Sequence, residues 1–216
     1  GLSRPLVVLP KARAAAERAV DLDDTLAEAH SARGTVHAWL AWDWDVAERE
    51  FTRALALDPN AAITHAFYGI TLATMGRVEE AAAEAEKAAA LDPLSALVLF
   101  LAAAIYHGIR QQGRSIENST NALALDPGCT LATWMLSVAL SEAGRHDEAI
   151  DAGERGVQMT DRNGFFVAIL GHALGRAGRR DAARLALAEL LERSRPEDIP
   201  PIWLATIHAG LGEVTE

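Results

Sequence analysis

Seven histidines, one cysteine and several carboxylate pairs are the residues of this 216-residue chain that could do chemistry. Metal binding or acid–base work would need them gathered at ligand spacing. His30 and His37 lie two turns apart on one helix face, wider than the i, i+4 spacing of a helical metal pair. Cys129 is the sole cysteine, which rules out a disulfide framework within the chain and any Cys₄ or Cys₂His₂ metal site. No electropositive cluster flanks it in sequence, so it reads as an ordinary free thiol. Gly171, Gly175 and Gly178 follow no strand and have the wrong spacing for a phosphate loop. The acid pairs Glu79-Glu80, Asp147-Glu148 and Glu84-Glu86 read as solvated helix faces, the N-terminal ones complementing the helix dipole. No nucleophile, base and oxyanion donor assemble. The sequence therefore predicts no enzyme, no catalytic residue, no cofactor and no metal. A site made by His107 and His172 across a groove is the alternative left open.

The elements that would position these residues follow a fixed period. Leu57-Asp58-Pro59, Leu91-Asp92-Pro93 and Leu125-Asp126-Pro127 are 34 residues apart, and Met159-Thr160-Asp161 continues the step. Such a period marks a repeat protein. Full units fall at 27–61, 62–95, 96–129, 130–163 and 164–197. A partial unit precedes them at 11–26, and a terminal helix fits 198–211. Residues 1–10 match no phase and read as a linker or the remnant of a preceding element. Proline cannot continue a helix and pushes the residue before it to an extended conformation, so each Leu-Asp-Pro ends one. Gly76, Gly144 and Gly178, each followed by arginine, recur between the two helices of their units, where glycine can take a left-handed turn. The eighth residue of each unit is small (Gly34, Gly69, Ala103, Ser137, Gly171, Ala205), as is the twentieth (Ala81, Ser115, Ala149, Ala183, with Ala47 in the longer first unit). Small residues at matched places let paired helices approach closely. His30 and His65 share the fourth position, and His37 and His208 the eleventh; both are packing positions.

The pattern resembles the tetratricopeptide repeat, a 34-residue helix–turn–helix with small residues at those positions and a terminal proline. The resemblance covers roughly residues 11–211 and implies an all-α, right-handed α-solenoid of about twelve helices forming a single array over 11–216. Asp161 and Arg195 depart from the terminal proline, and Arg110 from the turn glycine. The first full unit carries one extra residue within Ala41-Trp42-Asp43-Trp44-Asp45, expected between its helices, with a tryptophan ring capping the turn and Asp43 or Asp45 capping the next helix. This stretch, with Ala47-Glu48, Phe51, Arg53-Ala54-Leu55, Leu57-Asp58-Pro59 and Leu91-Asp92-Pro93-Leu94-Ser95, also resembles repeats attached to bacterial signalling domains. Those domains include nucleotide cyclases, winged-helix regulators and TolB-like domains. That resemblance implies the regulatory or sensory arm of a larger protein.

Function in the family is implied to lie on the concave surface lined by the first helix of each unit. The second, fifth, ninth and twelfth positions give a peptide groove of Ile63, Ala66, Ile70, Leu97, Phe100, Ala104, His107, Leu131, Trp134, Val138, Phe165, Ala168 and His172. Ala73, Ser141 and Gly175 complete the rows, and the first unit adds the more polar Glu28, Ser31, Thr35 and Ala38. No Lys, Arg or Asn occurs among them, which argues against clamping a C-terminal carboxylate. The mostly apolar strip fits an apolar helix or extended peptide from a protein partner, or from another domain of the same polypeptide, with Phe100, Trp134 and Phe165 as the anchors. The alternatives are a homodimer that buries the strip, a small apolar ligand sensed in the same groove, or curvature that buries these residues against one another.

Composition bounds the partners. A net charge of −10 disfavours direct nucleic-acid binding. No apolar run reaches membrane-span length, and Leu6–Leu9 is too short for a signal-peptide core. The expected compartment is the cytoplasm, with a periplasmic sensory arm of a membrane-anchored regulator as the alternative.

Overall fold

The computed structural model describes residues 5–193 and 199–213, with side chains described from residue 10 onward. Among them are twelve α helices and no strand. They are α1 (Pro5–Leu22), α2 (Ala27–Val36), α3 (Trp44–Leu57), α4 (Ala62–Thr74), α5 (Val78–Leu91), α6 (Ala96–Gly108), α7 (Gln112–Leu125), α8 (Thr130–Glu142), α9 (His146–Met159), α10 (Gly164–Arg176), α11 (Arg180–Arg193) and α12 (Pro201–Leu211). The all-α class of helix–turn–helix repeats that the resemblance implies is the class observed. Helices open at Ala27, Ala62, Ala96, Thr130 and Gly164, the first residue of each repeat.

The turns explain this regularity. Gly76, Gly144 and Gly178 have φ of 77°, 76° and 74°. After each, an amide reaches back to a carbonyl in the last turn of the preceding helix: Arg77 N to Leu72 O, Arg145 N to Leu140 O and Arg179 N to Leu174 O, all 2.9 Å. Carbonyls that a helix end would leave unpaired are thereby satisfied. Arg110 takes the same left-handed conformation without glycine, at φ 61°. Where the terminal proline is missing, Asp161 and Arg162 adopt φ of 49° and 57° and close the turn through Arg162 N to Val157 O, 2.8 Å.

Three boundaries differ from the sequence reading. The first helix begins at Pro5 rather than Lys11 and runs through Pro10. Proline at a first helical position gives up only an amide that has no helical partner. The last helix begins at Pro201, again with proline in its first turn, and residue 198 lies outside the described residues. The extra residue of the first unit is not a longer loop. It is absorbed by a π-helical turn over His37–Ala41 that extends α2 and ends on Trp42 at φ 56°.

Two compact units divide the chain, one through Ile109 and one from Arg110. In the first, Phe51, Ala47 and Ala38 form one buried cluster, and Leu72, Ala81, Ala85, Ala102, Ile105 and Tyr106 form another. In the second, Ile150, Val157, Phe166, Val167, Leu190 and Ile207 lie in one continuous core. Small residues are needed where helices meet. A Cβ on Gly69 would fall 2.7 Å from Ile105 Cδ1, and one on Gly171 would fall 2.9 Å from Ile207 Cγ1. The tenth residue of one unit thus seats in the space left by the eighth of the unit before it. Ala205, also an eighth residue, is exposed.

Candidate functional site

Two of the seven histidines serve as struts. His30 on α2 is buried, with Nδ1 2.7 Å from Glu50 Oε2 on α3 and Nε2 donating to the Asp24 carbonyl at 2.9 Å. Arg33 donates to the other Glu50 carboxylate oxygen. Burial pushes the Glu50 carboxyl up, but hydrogen bonds from Arg33 and His30 outweigh it and hold the group below the usual carboxylate range. One repeat later the arrangement recurs: His65 Nδ1 pairs with Glu84, and Nε2 donates to the Pro59 carbonyl at 3.0 Å. Each histidine ties the two helices of a repeat to the loop before them, which leaves no ring nitrogen for catalysis. Nearby, Tyr68 donates to Glu48 at 3.0 Å, and burial together with that carboxylate pushes its phenol up to about 12. Arg77 bridges Glu48 and Glu80, linking α3 to α5.

His107 lies in the first compact unit and His172 in the second. His172 Nδ1 donates to the Thr206 carbonyl at 3.0 Å, so the structure commits that nitrogen to holding α12. Among the described residues, no group of three or more His, Cys, Asp or Glu side chains is arranged to hold a metal ion.

The predicted groove residues divide by burial. Leu97 and Leu131 are exposed, at 47% and 44%. Ile63, Ile70, Ala104, His107, Trp134, Val138, Phe165 and His172 are half-buried. Ala66, Phe100 and Ala168 are buried, so the apolar strip is discontinuous. In the second unit the aromatic anchors pack on one another. The Trp134 and Phe165 rings meet edge-to-face at 5.3 Å, and Phe165 meets Phe166 in the same manner. These rings belong partly to the core of that unit.

The first unit holds a cleft. A cavity of about 540 Å³ lies between the first helices of two successive repeats. Ser31, Ala32 and Thr35 of α2 form one wall, and Ile63, Thr64 and Phe67 of α4 the other. Glu28, Asp58 and Asp92 place three carboxylates around it, with no lysine or arginine in the lining. Thr64 donates to Ser31 Oγ at 3.0 Å, joining the two walls. Glu28, Ser31, Thr35 and Ile63 were legible as groove positions from sequence. Asp58 and Asp92 belong to the Leu-Asp-Pro turns and are not among the groove positions the sequence points to. The signal lay in the period, which repeats the Asp-Pro turn 34 residues on.

A family model described as the tetratricopeptide repeat matches residues 38–96 and 114–163. No curated protein sequence matches the chain. Among solved structures, PilW, a widely conserved type IV pilus biogenesis factor, superimposes with a TM-score of 0.75 at 21% identity, over 92% of this chain and 90% of that one. MamA superimposes with a TM-score of 0.60 at 25% identity, over 73% of this chain and 92% of its own. YrrB, described as a TPR protein with an unusual peptide-binding site, gives 0.59 at 18% identity, over 90% of this chain and 97% of its own.

Proposed function

We propose that this chain, which belongs to the tetratricopeptide repeat family, captures a segment of a partner protein in the cleft between α2 and α4. The coarser role, a protein-interaction module built on a non-catalytic fold, is that of the family. One observation carries the finer reading: the cavity of about 540 Å³ combines apolar lining residues with three carboxylates. Ile63, Phe67 and Leu91 offer apolar contact, while Glu28, Asp58 and Asp92 accept hydrogen bonds. An amphipathic segment with an apolar residue and neighbouring donors fits both, and burial of the apolar residue supplies most of the gain. The other predicted groove residues would extend the contact along each unit, led by the exposed Leu97 and Leu131. The resemblance of residues 42–59 and 91–95 to signalling-linked repeats supports a regulatory or sensory arm of a larger bacterial protein.

The test is a peptide selection against the whole chain, followed by affinity measurement on Ala32→Arg. Ala32 is exposed, lines the cleft and sits on a helix that accepts arginine. At least a tenfold loss of affinity, about 1.4 kcal/mol, is expected. Selected peptides that bind the variant as well as the wild type would place the site elsewhere. Leu185, Leu191 and Ile202, exposed on α11 and α12, favour self-association as the second reading. Light scattering across a wide concentration range separates the two.

A further inference from the structure

The left-handed turn of the first full repeat carries a side chain that the fold does not ask for. Arg110 fills one corresponding turn; the others use Gly76, Gly144 and Gly178, and Gly212 ends α12 in the same conformation. A Cβ at any of these four glycines would meet nothing within 4 Å, so the position projects into open space. In the first repeat it holds Trp42, at φ 56° and 68% exposed. A bulky residue at positive φ is strained, and an indole left in water forgoes burial. Glycine would relieve both. Strain and exposed apolar surface together mark sites of recognition.

The surroundings specify the ligand chemistry. The Trp42 ring meets Trp44 edge-to-face at 5.5 Å, which holds it in place. Trp39, 41% exposed, is held by Phe67 in the same way at 5.4 Å. Asp43 and Asp45 are exposed and flank Trp44 in the sequence. Asp43 caps α3 through Oδ1, which accepts from Val46 N at 3.3 Å. Its Oδ2 is 3.8 Å from His37 Nδ1, beyond hydrogen-bond reach. An indole face next to carboxylates suits a planar cation, which the ring quadrupole attracts and the carboxylate binds through paired N–H donors.

We infer that the Trp42–Trp44 pair, with the adjoining Asp43 and Asp45, is a second docking surface that receives an arginine side chain from a partner protein. The pair lies at the turn between the helices of one repeat, and the inference does not rest on the cleft reading. The test titrates the whole chain with acetyl-Arg-Gly-Arg-Gly-amide and with its citrulline counterpart, following the tryptophan indole N–H resonances. Saturable shifts are expected for the arginine peptide alone. Trp42→Gly and Asp43→Asn/Asp45→Asn should each weaken binding about tenfold. Trp42→Gly should melt no lower than wild type, because glycine suits the turn. Asn retains the cap at position 43. Ala32→Arg, which blocks the cleft, should leave this binding intact. Equal binding of the citrulline peptide, unchanged affinity in Trp42→Gly, or no saturation by about 10 mM peptide would overturn the assignment. So would indole shifts that track protein concentration without peptide, which would give the pair to a second copy of the chain.

Discussion

Glu50→Ala should be among the most damaging single truncations in the first unit. Its carboxylate is buried, pairs with the buried His30 ring and accepts from Arg33. A hydrogen bond to a charged group contributes about 1.5–3 kcal/mol. The His30 contact lies in the interior and should count near the middle of that range. Arg33 is partly exposed, and its share is discounted to about 0.5–1 kcal/mol. Truncation also leaves His30 Nδ1 without its acceptor, so the expected loss is about 3 kcal/mol, or a fall in Tm of about 6–12 °C for a chain of this size. The pH dependence gives a second readout. The Glu50 carboxyl lies below its unfolded value, so its contribution is fully present above that value and is lost as pH falls through the folded one. The gap between wild type and variant should be full near pH 7 and should narrow below about pH 4. Urea melts at a series of pH values measure it. A gap under about 0.5 kcal/mol at neutral pH, or one that widens in acid, would refute the strut.

Other outcomes follow from the same geometry. Gly175→Ala should cost about 1–3 kcal/mol and undock α12, because its Cβ would fall 2.5 Å from the Gly210 backbone carbon; hydrogen exchange in 201–211 reads this directly. Trp134→Asp should lower Tm by several degrees, since the ring packs on Phe165 against the unit core; an unchanged Tm would mean that the ring is dispensable to folding. Tyr68→Phe should remove about 1 kcal/mol, with the phenol that burial and Glu48 push up to about 12. That contribution is present below the unfolded tyrosine value and is lost as pH rises through the folded one, which alkaline absorbance titration follows.

Much of this architecture could be read from spacing alone. Thirty-four-residue steps fixed where helices start because every Leu-Asp-Pro and every turn glycine acts on its own few residues. Side-chain partners were less accessible. His30 and His65 were read as packing positions, correctly for burial. Their glutamates lie 20 and 19 residues on, an offset that repeats once the inserted residue is allowed for. That regular offset was the missed signal. Trp134 and Phe165 occupy the helix positions expected of them, yet whether two rings face solvent or each other depends on distances that no periodicity encodes. The π turn was hidden for a related reason. An extra residue can lengthen a loop or widen a helix, and composition does not choose between them.

That widened turn also shows how a repeat array tolerates length change. One residue added inside a straight helix would swing everything beyond it by about 100° and carry the buried face of α3 to the surface. Here the surplus is taken up over five residues, the chain leaves through one left-handed residue, and the next repeat opens in phase at Ala62. The junction between paired helices is therefore the place where insertions and deletions can accumulate without loss of frame. Deleting Ala41 would restore the 34-residue length of its neighbours while leaving every later repeat in register, and a library of such variants would map where this array can be lengthened or shortened.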